Sequence, residues 1–202
     1  MPIDAANLSW KGPPLARHEW LARLPAELAE LLREMNGCGL FAGGLHIRGL
    51  CKEPAWHALQ RVWEGEHALH RTYPALRTDD IPFAQDCVGD QFLLREGKVI
   101  RLQAEAGTLE ETGQDLRQFL DAAQADPVNV LRLQPLVSLF KAGGELKPGE
   151  LISVYPPYVV QHEGEYDFRA VPALERLAFL ADMAAKLRDL PDGESFQVIA
   201  MP

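Results

Sequence analysis

The sequence predicts a protein that combines helices and strands, and three observations carry this prediction. Apolar residues recur at helical spacing in several separate segments, short alternating segments indicate strands, and Glu96-Gly97 divides two apolar runs as a hairpin turn would. At 202 residues and 47% hydrophobic composition, the chain is long enough to bury one substantial core. We therefore expect a single domain over residues 1–202.

The first half of the chain contains helical signals on both sides of a short strand. A segment opened by Pro25 and closed by Asn36-Gly37 predicts an amphipathic helix, and residues 18–24 predict a shorter helix before it. Residues 45–48 alternate as a half-buried strand does. A further helix is expected to start at Pro54 and to fade near residue 73. The apolar face of the first helix consists of Leu28, Leu31, Leu32 and Met35.

Residues 79–92 predict a strand, a turn and a second strand. Ile81 to Ala84 form the first strand, Gln85 to Asp90 the turn, and the second strand begins at Gln91. The hairpin that follows, over residues 91–102, is expected to pair Leu94 with Val99 and Leu93 with Ile100. Apolar pairs on both faces imply either a sheet covered at least partly on both sides or a longer turn with a slipped register.

The second half of the chain contains signals for both helices and strands. An apolar stripe predicts a helix that stops before Asp126-Pro127, which caps a following helical region. Residues 151–155 predict a strand, and residues 195–201 a last one. Pro172 begins the longest predicted helix. The stripe of the earlier helix is Leu116, Phe119, Leu120 and Ala123, and that of the last helix is Leu174, Leu177, Ala178, Ala181 and Ala184.

Charge and composition narrow the classes of function. The chain carries 29 acidic and 20 basic side chains, a formal charge of -9, which disfavours nucleic acid as a partner and favours a cationic protein through electrostatic steering. No window approaches the ~18 apolar residues of a membrane span, and the first residues lack a signal-peptide pattern. We expect a soluble, cytoplasmic protein without a membrane partner. Its three cysteines suggest neither a disulfide framework nor a zinc site.

Four aspartates are the candidate partner-binding residues. Asp79, Asp80, Asp86 and Asp90 fall in the strand-turn-strand segment and predict an acidic surface that a cationic protein could contact. Carboxylates at this density could also hold a hard cation, but the spacing lacks the alternating pattern of a calcium loop. Turn capping is the plainer interpretation of these acids.

Other residues permit chemistry that the surrounding sequence does not support. His67 and His70 could share a helical face with Glu64 and Glu66 nearby, yet the H-E-x-x-H order is absent. Cys87 could act as a nucleophile, but its neighbourhood is acidic. Phosphate loops, dinucleotide fingerprints and serine elbows are missing. The sequence thus predicts no catalytic residue, no metal ligand and no cofactor, and we expect a protein that is not an enzyme.

Several short motifs, in their order and spacing, resemble the SUKH superfamily of Smi/Knr and Syd-like proteins. The resemblance covers about residues 15–125, and residues 126–202 would be an extension packed on that core. Cys87-Val88 departs from the small polar residues usual in this turn, and the extension could bury it. The motifs are Leu24-Pro25, the Leu28/Leu31/Leu32 stripe, Met35-Asn36-Gly37-Cys38-Gly39, Ile81-Pro82-Phe83-Ala84, Gly89-Asp90-Gln91-Phe92, Gly97-Lys98-Val99 and Phe119-Leu120.

The resemblance implies an α+β fold with a mostly antiparallel sheet flanked by helices, to which a C-terminal strand and helix region is added. It also implies a non-enzymatic protein-binding domain, because bacterial members are largely immunity proteins that bind and neutralise toxins. Fungal members are regulatory scaffolds, so a scaffold with a housekeeping partner is the alternative. A metal-dependent or hydrolytic enzyme is a third possibility. The matching positions, such as Pro25, Gly37 and Pro82, serve the architecture, so the family supplies neither a catalytic residue nor a defined contact.

Overall fold

The computed structural model describes residues 3–16 and 18–190. Its main feature is a seven-stranded sheet in which each strand pairs antiparallel with the next along the chain. A separate antiparallel pair follows it. The seven strands are β1 (Leu8–Lys11), β2 (Cys38–Leu40), β3 (Leu45–Ile47), β4 (Ile81–Asp86), β5 (Gln91–Arg95), β6 (Lys98–Gln103) and β7 (Thr108–Glu111), and the pair is β8 (Glu150–Tyr155) and β9 (Asp167–Pro172).

Helices occupy the connections between the strands and the C-terminal region. The α+β fold with a mostly antiparallel sheet is therefore confirmed. The α-helices are α1 (Ala26–Glu34), α2 (Leu59–Trp63), α3 (Leu69–Thr72), α4 (Leu116–Ala125), α5 (Pro127–Val130), α6 (Gln134–Lys141) and α7 (Ala173–Arg188), and 3-10 helices cover Ala5–Asn7, His18–Arg23 and Phe41–Gly43. Within the described residues, no helix has the length and apolar character needed to cross a membrane.

The predicted hairpin is confirmed together with its register. Leu94 lies opposite Val99 and Leu93 opposite Ile100. Glu96 and Gly97 both have positive φ, 51° and 79°. A two-residue turn of this kind matches the twist of the two strands it joins, and glycine reaches such a φ without steric cost.

Both faces of the sheet are covered, as the hairpin pattern suggested. On the first face, Phe92 packs against Phe119 of α4 with ring centroids 4.7 Å apart. On the second face, Leu93 belongs to a buried cluster with Leu180 of α7. Side chains alternate along a strand, so neighbouring residues of β5 reach different helices. The C-terminal region therefore supplies the cover of the second face.

Helix α4 forms where the sequence predicts it. The Asp115 carboxylate accepts a hydrogen bond from the backbone N–H of Gln118 at 2.8 Å, and the Gln118 amide oxygen accepts one from Asp115 N–H at 3.0 Å. This capping box satisfies two backbone donors at the start of the helix. The predicted apolar stripe is the buried one: Leu116, Phe119, Leu120 and Ala123.

Two helix predictions are wrong in detail. The helix expected from Pro54 to about residue 73 is two short helices, α2 and α3, separated by a turn in which Gly65 has a φ of 83°. Helix α7 begins as predicted but is rotated, because Leu174 and Ala178 are exposed. The buried residues of α7 are Ala173, Arg176, Leu180, Met183 and Ala184. The predicted last strand, 195–201, lies outside the described residues.

Candidate functional site

Asp80 is buried and bound by an arginine. Its two carboxylate oxygens accept hydrogen bonds from Nε and Nη2 of Arg95 at 2.8 and 2.6 Å. One of them also accepts from the backbone N–H of Arg77 at 2.7 Å. A carboxylate whose two oxygens both bind one planar guanidinium is held in a fixed orientation. Asp80 thus ties the segment before β4 to the end of β5.

Asp86 organises the turn between β4 and β5. Its Oδ1 accepts hydrogen bonds from three successive backbone N–H groups, those of residues 88–90, each at 3.0 Å. Its Oδ2 accepts from Nη2 of Arg101 at 2.6 Å. The side chain has an exposed fraction of 1%. Burial, followed by the nearby Asp90 carboxylate, raises the pKa of Asp86 to about 7 against the opposing effect of Arg101.

The four predicted aspartates do not form one exposed acidic surface. Asp90 accepts from Nε of Arg101 and from the backbone N–H of Ala104, and its side chain is 15% exposed. Asp80 and Asp86 are buried, and only Asp79 of the four is exposed. The expectation of a common exposed surface is corrected, because turn capping and arginine pairing occupy three of the carboxylates. Contact with a partner stays a prediction, centred on Asp79.

Arg48 is a buried cation whose hydrogen-bond partners are uncharged. Its exposed fraction is 1%, and its guanidinium donates to the carbonyl oxygen of Pro82 at 3.1 Å and to the amide oxygens of Gln85 and Gln91 at 2.5 and 2.6 Å. Burial lowers the pKa of Arg48 to about 9. Three neutral acceptors thus compensate for part of the lost hydration of this side chain, and its buried Nε has no hydrogen-bond partner. The sequence did not predict a buried Arg48, because the alternating pattern of residues 45–48 indicated only a half-buried strand.

Two buried histidines form a hydrogen-bonded chain beside Arg48. Nε2 of His46 lies 2.7 Å from Nδ1 of His57, and Nε2 of His57 lies 2.9 Å from the carbonyl oxygen of Asn36. Burial lowers the pKa of His57 to about 4 and places the pKa of His46 well below its ordinary value. Both imidazoles are therefore neutral at pH 7.

The backbone closes tightly around His57. A Cβ added at Gly49 would lie 2.4 Å from Nε2 of His57, and one added at Gly37 would lie 2.4 Å from its Cε1. Gly37 also has a φ of 77°, a conformation that side chains rarely adopt. The glycines around residue 37 are therefore the sequence signal for this buried site, although they do not identify the histidine that fills it.

A cleft of about 280 Å³ opens beside the histidine chain, and we call it the tryptophan cleft. Trp10, Gly39, His46 and Gln85 lie opposite one another on strands β1 to β4, so they form one row across the second face of the sheet. Gly39 has no side chain and leaves a gap in this row. The cleft is also lined by Trp56, Phe140, Glu145 and Glu150.

The other candidate residues from the sequence are not brought into a site. His67 is exposed and precedes α3, whereas His70 lies within it, so the two do not share a helical face. Burial and the Asp86 carboxylate raise the pKa of Cys87 well above its ordinary value, which opposes formation of a thiolate. Within residues 3–16 and 18–190, no group of three or more His, Cys, Asp or Glu side chains is arranged to hold a metal.

A solved structure shares the fold of this chain. The crystal structure of Atu4351 from Agrobacterium tumefaciens aligns with it at a TM-score of 0.55 and 14% sequence identity, over 86% of this chain and 85% of that chain. Comparison with curated proteins gives no significant match.

A family model gives the stronger result. The model of the SMI1 / KNR4 family (SUKH-1) matches residues 16–122, which is more than half of the chain. The matched segment contains α1, strands β2 to β7 and most of α4. It ends just before the C-terminal region that covers the second face of the sheet. The chain therefore belongs to the SMI1 / KNR4 family (SUKH-1).

Proposed function

We propose that this protein is a non-enzymatic immunity protein that acts in the cytoplasm by binding a toxin and covering its active surface. Membership of the SMI1 / KNR4 family is the observation that carries the proposal. The chemistry of the buried groups is in keeping with it. The two histidines bind each other, and the buried aspartates bind arginines of the same protein. The Cys87 thiol is buried and shielded from solvent. These groups therefore serve the fold.

The charge of the protein favours a cationic partner. A net charge of -9 accelerates encounter with a basic surface, and the effect weakens as salt screens it. Asp79 is the exposed member of the predicted acidic set, and the exposed pair of Arg77 and Glu96 belongs to the same part of the molecule. We propose this region as part of the partner-binding surface.

The proposal is tested with the purified protein and the toxin domain encoded beside its gene. We expect a stable complex on gel filtration and loss of toxin activity at equimolar protein. Asp79→Lys should slow association measured by surface plasmon resonance, with a smaller effect at high salt. Asp121→Lys is the matched control, since Asp121 is an exposed acid on α4. Equal association rates for the two variants would remove Asp79 from the interface, whereas absence of any complex would contradict the toxin assignment.

The alternative function is a regulatory scaffold that binds a housekeeping partner, and it has the same family basis. Affinity capture from the native host distinguishes the two, because a scaffold would recover a housekeeping protein in the absence of a toxin gene. Elemental analysis distinguishes the third hypothesis, a metal-dependent enzyme, from these two binding functions. An enzyme of this kind requires a stoichiometric metal in the purified, folded protein.

A further inference from the structure

The sheet has an open edge at β7. This strand pairs with β6 on one side, and within residues 3–16 and 18–190 no strand pairs with it on the other. We propose that this edge binds an extended, basic segment of a protein partner, which adds to the sheet antiparallel to β7. The inference goes beyond the immunity assignment, because it names a strand and a kind of ligand and holds for any partner that carries such a segment.

The hydrogen bonds to β6 show which backbone groups of β7 face outward. The N–H of Thr112, one residue beyond β7, donates to the carbonyl oxygen of Val99 at 3.3 Å. Along an antiparallel ladder, residues that bond to the neighbouring strand alternate with residues whose N–H and C=O point away from it. Glu110 therefore bonds to β6. The backbone groups of Leu109 and Glu111 point to the outer edge.

These outward groups have no partner among the described residues. No backbone hydrogen bond from a turn or loop reaches Leu109 or Glu111. The side-chain hydrogen bonds of β7 involve the Glu110 carboxylate and the Thr108 hydroxyl instead. Each outward residue offers one donor and one acceptor. An extended chain laid beside β7 would satisfy them together, which is how strand addition gains its affinity.

The side chains of β7 favour a segment that combines a basic and an apolar residue. Glu111 is exposed and forms no ion pair in the part of the chain that the structure describes, whereas Glu110 is held by Arg132 at 2.7 Å. Leu109 is half-buried against the apolar cluster of the second face. Leu109 and Glu111 lie two apart and share that face. An added strand therefore needs an apolar residue opposite the first and a lysine or arginine opposite the second.

The same charges disfavour a second copy of this chain at the edge. When two β7 strands pair antiparallel, the register that uses both outward residues of each copy sets Leu109 against Glu111 and Glu110 against Glu110. Like charges directly opposite each other destabilise a pair of strands. A short, charged edge strand is a common protection against such self-pairing. A basic segment meets the opposite situation, and the net charge of -9 speeds its encounter.

Amide hydrogen exchange of the free, full-length protein tests whether the edge is open. We expect Leu109 and Glu111 to exchange at least about tenfold faster than Glu110, whose N–H bonds to β6. The alternation within one strand is its own control. Protected amides at Leu109 and Glu111 would overturn the proposal, since the edge would already be occupied. A dimer on gel filtration with the same protection would assign the edge to a second copy.

Peptides that differ only in backbone methylation test the bound form. The probe is acetyl-Thr-Lys-Thr-Val-Thr-amide, which in antiparallel register sets its lysine against Glu111 and its valine against Leu109. N-methylation of the lysine and valine removes the donors that face β7, and N-methylation of the two threonines that follow them removes donors on the outer side. In NMR titrations, the unmodified and threonine-methylated peptides should slow the exchange of the Leu109 and Glu111 amides. The lysine- and valine-methylated peptide should bind at least about tenfold more weakly.

Two variants at one position test the same contact from the side of the protein. Glu111→Pro removes an outward N–H, and Glu111→Ala is the matched control that keeps it. Proline is tolerated on an edge strand where its nitrogen faces away from the ladder. We expect Glu111→Pro to lose binding of the probe, and Glu111→Ala to bind it about threefold more weakly with a smaller dependence on salt.

If the proline variant fails to fold, the methylated peptides on the unaltered protein decide the outcome. Equal affinity of the two methylated peptides would overturn the proposal. So would equal affinity of the two folded variants for the probe, or the absence of any change at Leu109 and Glu111 with the unmodified peptide at millimolar concentration.

Discussion

At the scale of single residues, the turn between β4 and β5 depends on Asp86. Its carboxylate accepts three backbone N–H groups and the guanidinium of Arg101, all within a buried region. Asp86→Ala leaves these donors without their acceptor, so we expect a loss of at least about 3 kcal/mol in the free energy of unfolding in urea. Asp79→Ala, at an exposed site, should change it by less than about 0.5 kcal/mol. A small effect of both changes would contradict this role of Asp86.

The partners of the aspartates show what the sequence could and could not predict. The density of acids in residues 79–92 indicated turn capping, and Asp86 does cap the turn. Their arginines come from β5 and β6, which only the sheet brings close. The predicted hairpin register already places Arg101 opposite Phe92, and therefore near the turn, so this pairing was within reach of the sequence. The sequence could not predict the hydrogen bonds of Arg48 or of the histidine chain, because their partners come from distant segments.

The buried His57 gives the stability a pH dependence. Its folded pKa of about 4 lies below the 6.5 of the unfolded chain, so the unfolded state takes up a proton first as the pH falls. The stability contribution is complete above pH 6.5 and is lost progressively as the pH falls toward 4. Between pH 7 and pH 5 we expect the free energy of unfolding to decrease by about 2 kcal/mol from this residue.

Urea titrations at several pH values measure this dependence. His57→Gln should reduce the loss of stability between pH 7 and pH 5 by about 2 kcal/mol, while the contributions of His46 and Asp86 remain, and His67→Gln, at an exposed site, is the control variant. A curve that is identical for the unaltered protein and for His57→Gln would show that His57 is not the group responsible.

At the scale of elements, α7 shows where periodicity misleads. The apolar stripe pointed to Leu174 and Ala178, but the buried face includes Arg176, which is 3% exposed and pairs with Glu105 at 3.6 Å. A buried charge interrupts the hydrophobic pattern, so the pattern alone selected the wrong face. By contrast, α4 buries an entirely apolar stripe and was predicted correctly.

Two leucines of α7 test the observed rotation. Leu180 is 1% exposed and packs with Leu93 and Leu102, whereas Leu174 is 39% exposed. Leu180→Ala should lower the free energy of unfolding by about 2–5 kcal/mol, because it leaves a cavity on the second face of the sheet. Leu174→Ala should change it little. The reverse ranking in urea denaturation would contradict the packing of α7.

At the scale of the whole molecule, the C-terminal region and the family core share one interior. Leu131, Leu136 and Ile152 belong to the same buried cluster as Leu32 and Phe83. The amide of Ile152 also donates to the carbonyl of Cys87 at 2.7 Å. We propose on this basis that residues 1–202 form one domain, in which residues 126–202 are an extension packed on the core of residues 15–125.

Truncation tests this organisation. A chain that ends at residue 125 loses the cover of the second face and exposes apolar strands, so we expect it to bind a hydrophobic dye and to lose its sharp unfolding transition. The full chain should unfold in a single step, with the same midpoint by fluorescence and by circular dichroism. A truncated chain that unfolds cooperatively would show that the extension is a separate unit.

Protection of living cells tests the proposed function most directly. The toxin domain encoded beside the gene is expressed in a sensitive bacterium, with and without this protein, and survival is counted. The immunity assignment predicts that co-expression restores growth and that Asp86→Ala, which weakens the fold, restores it less. Unchanged killing in the presence of abundant, folded protein would contradict the assignment.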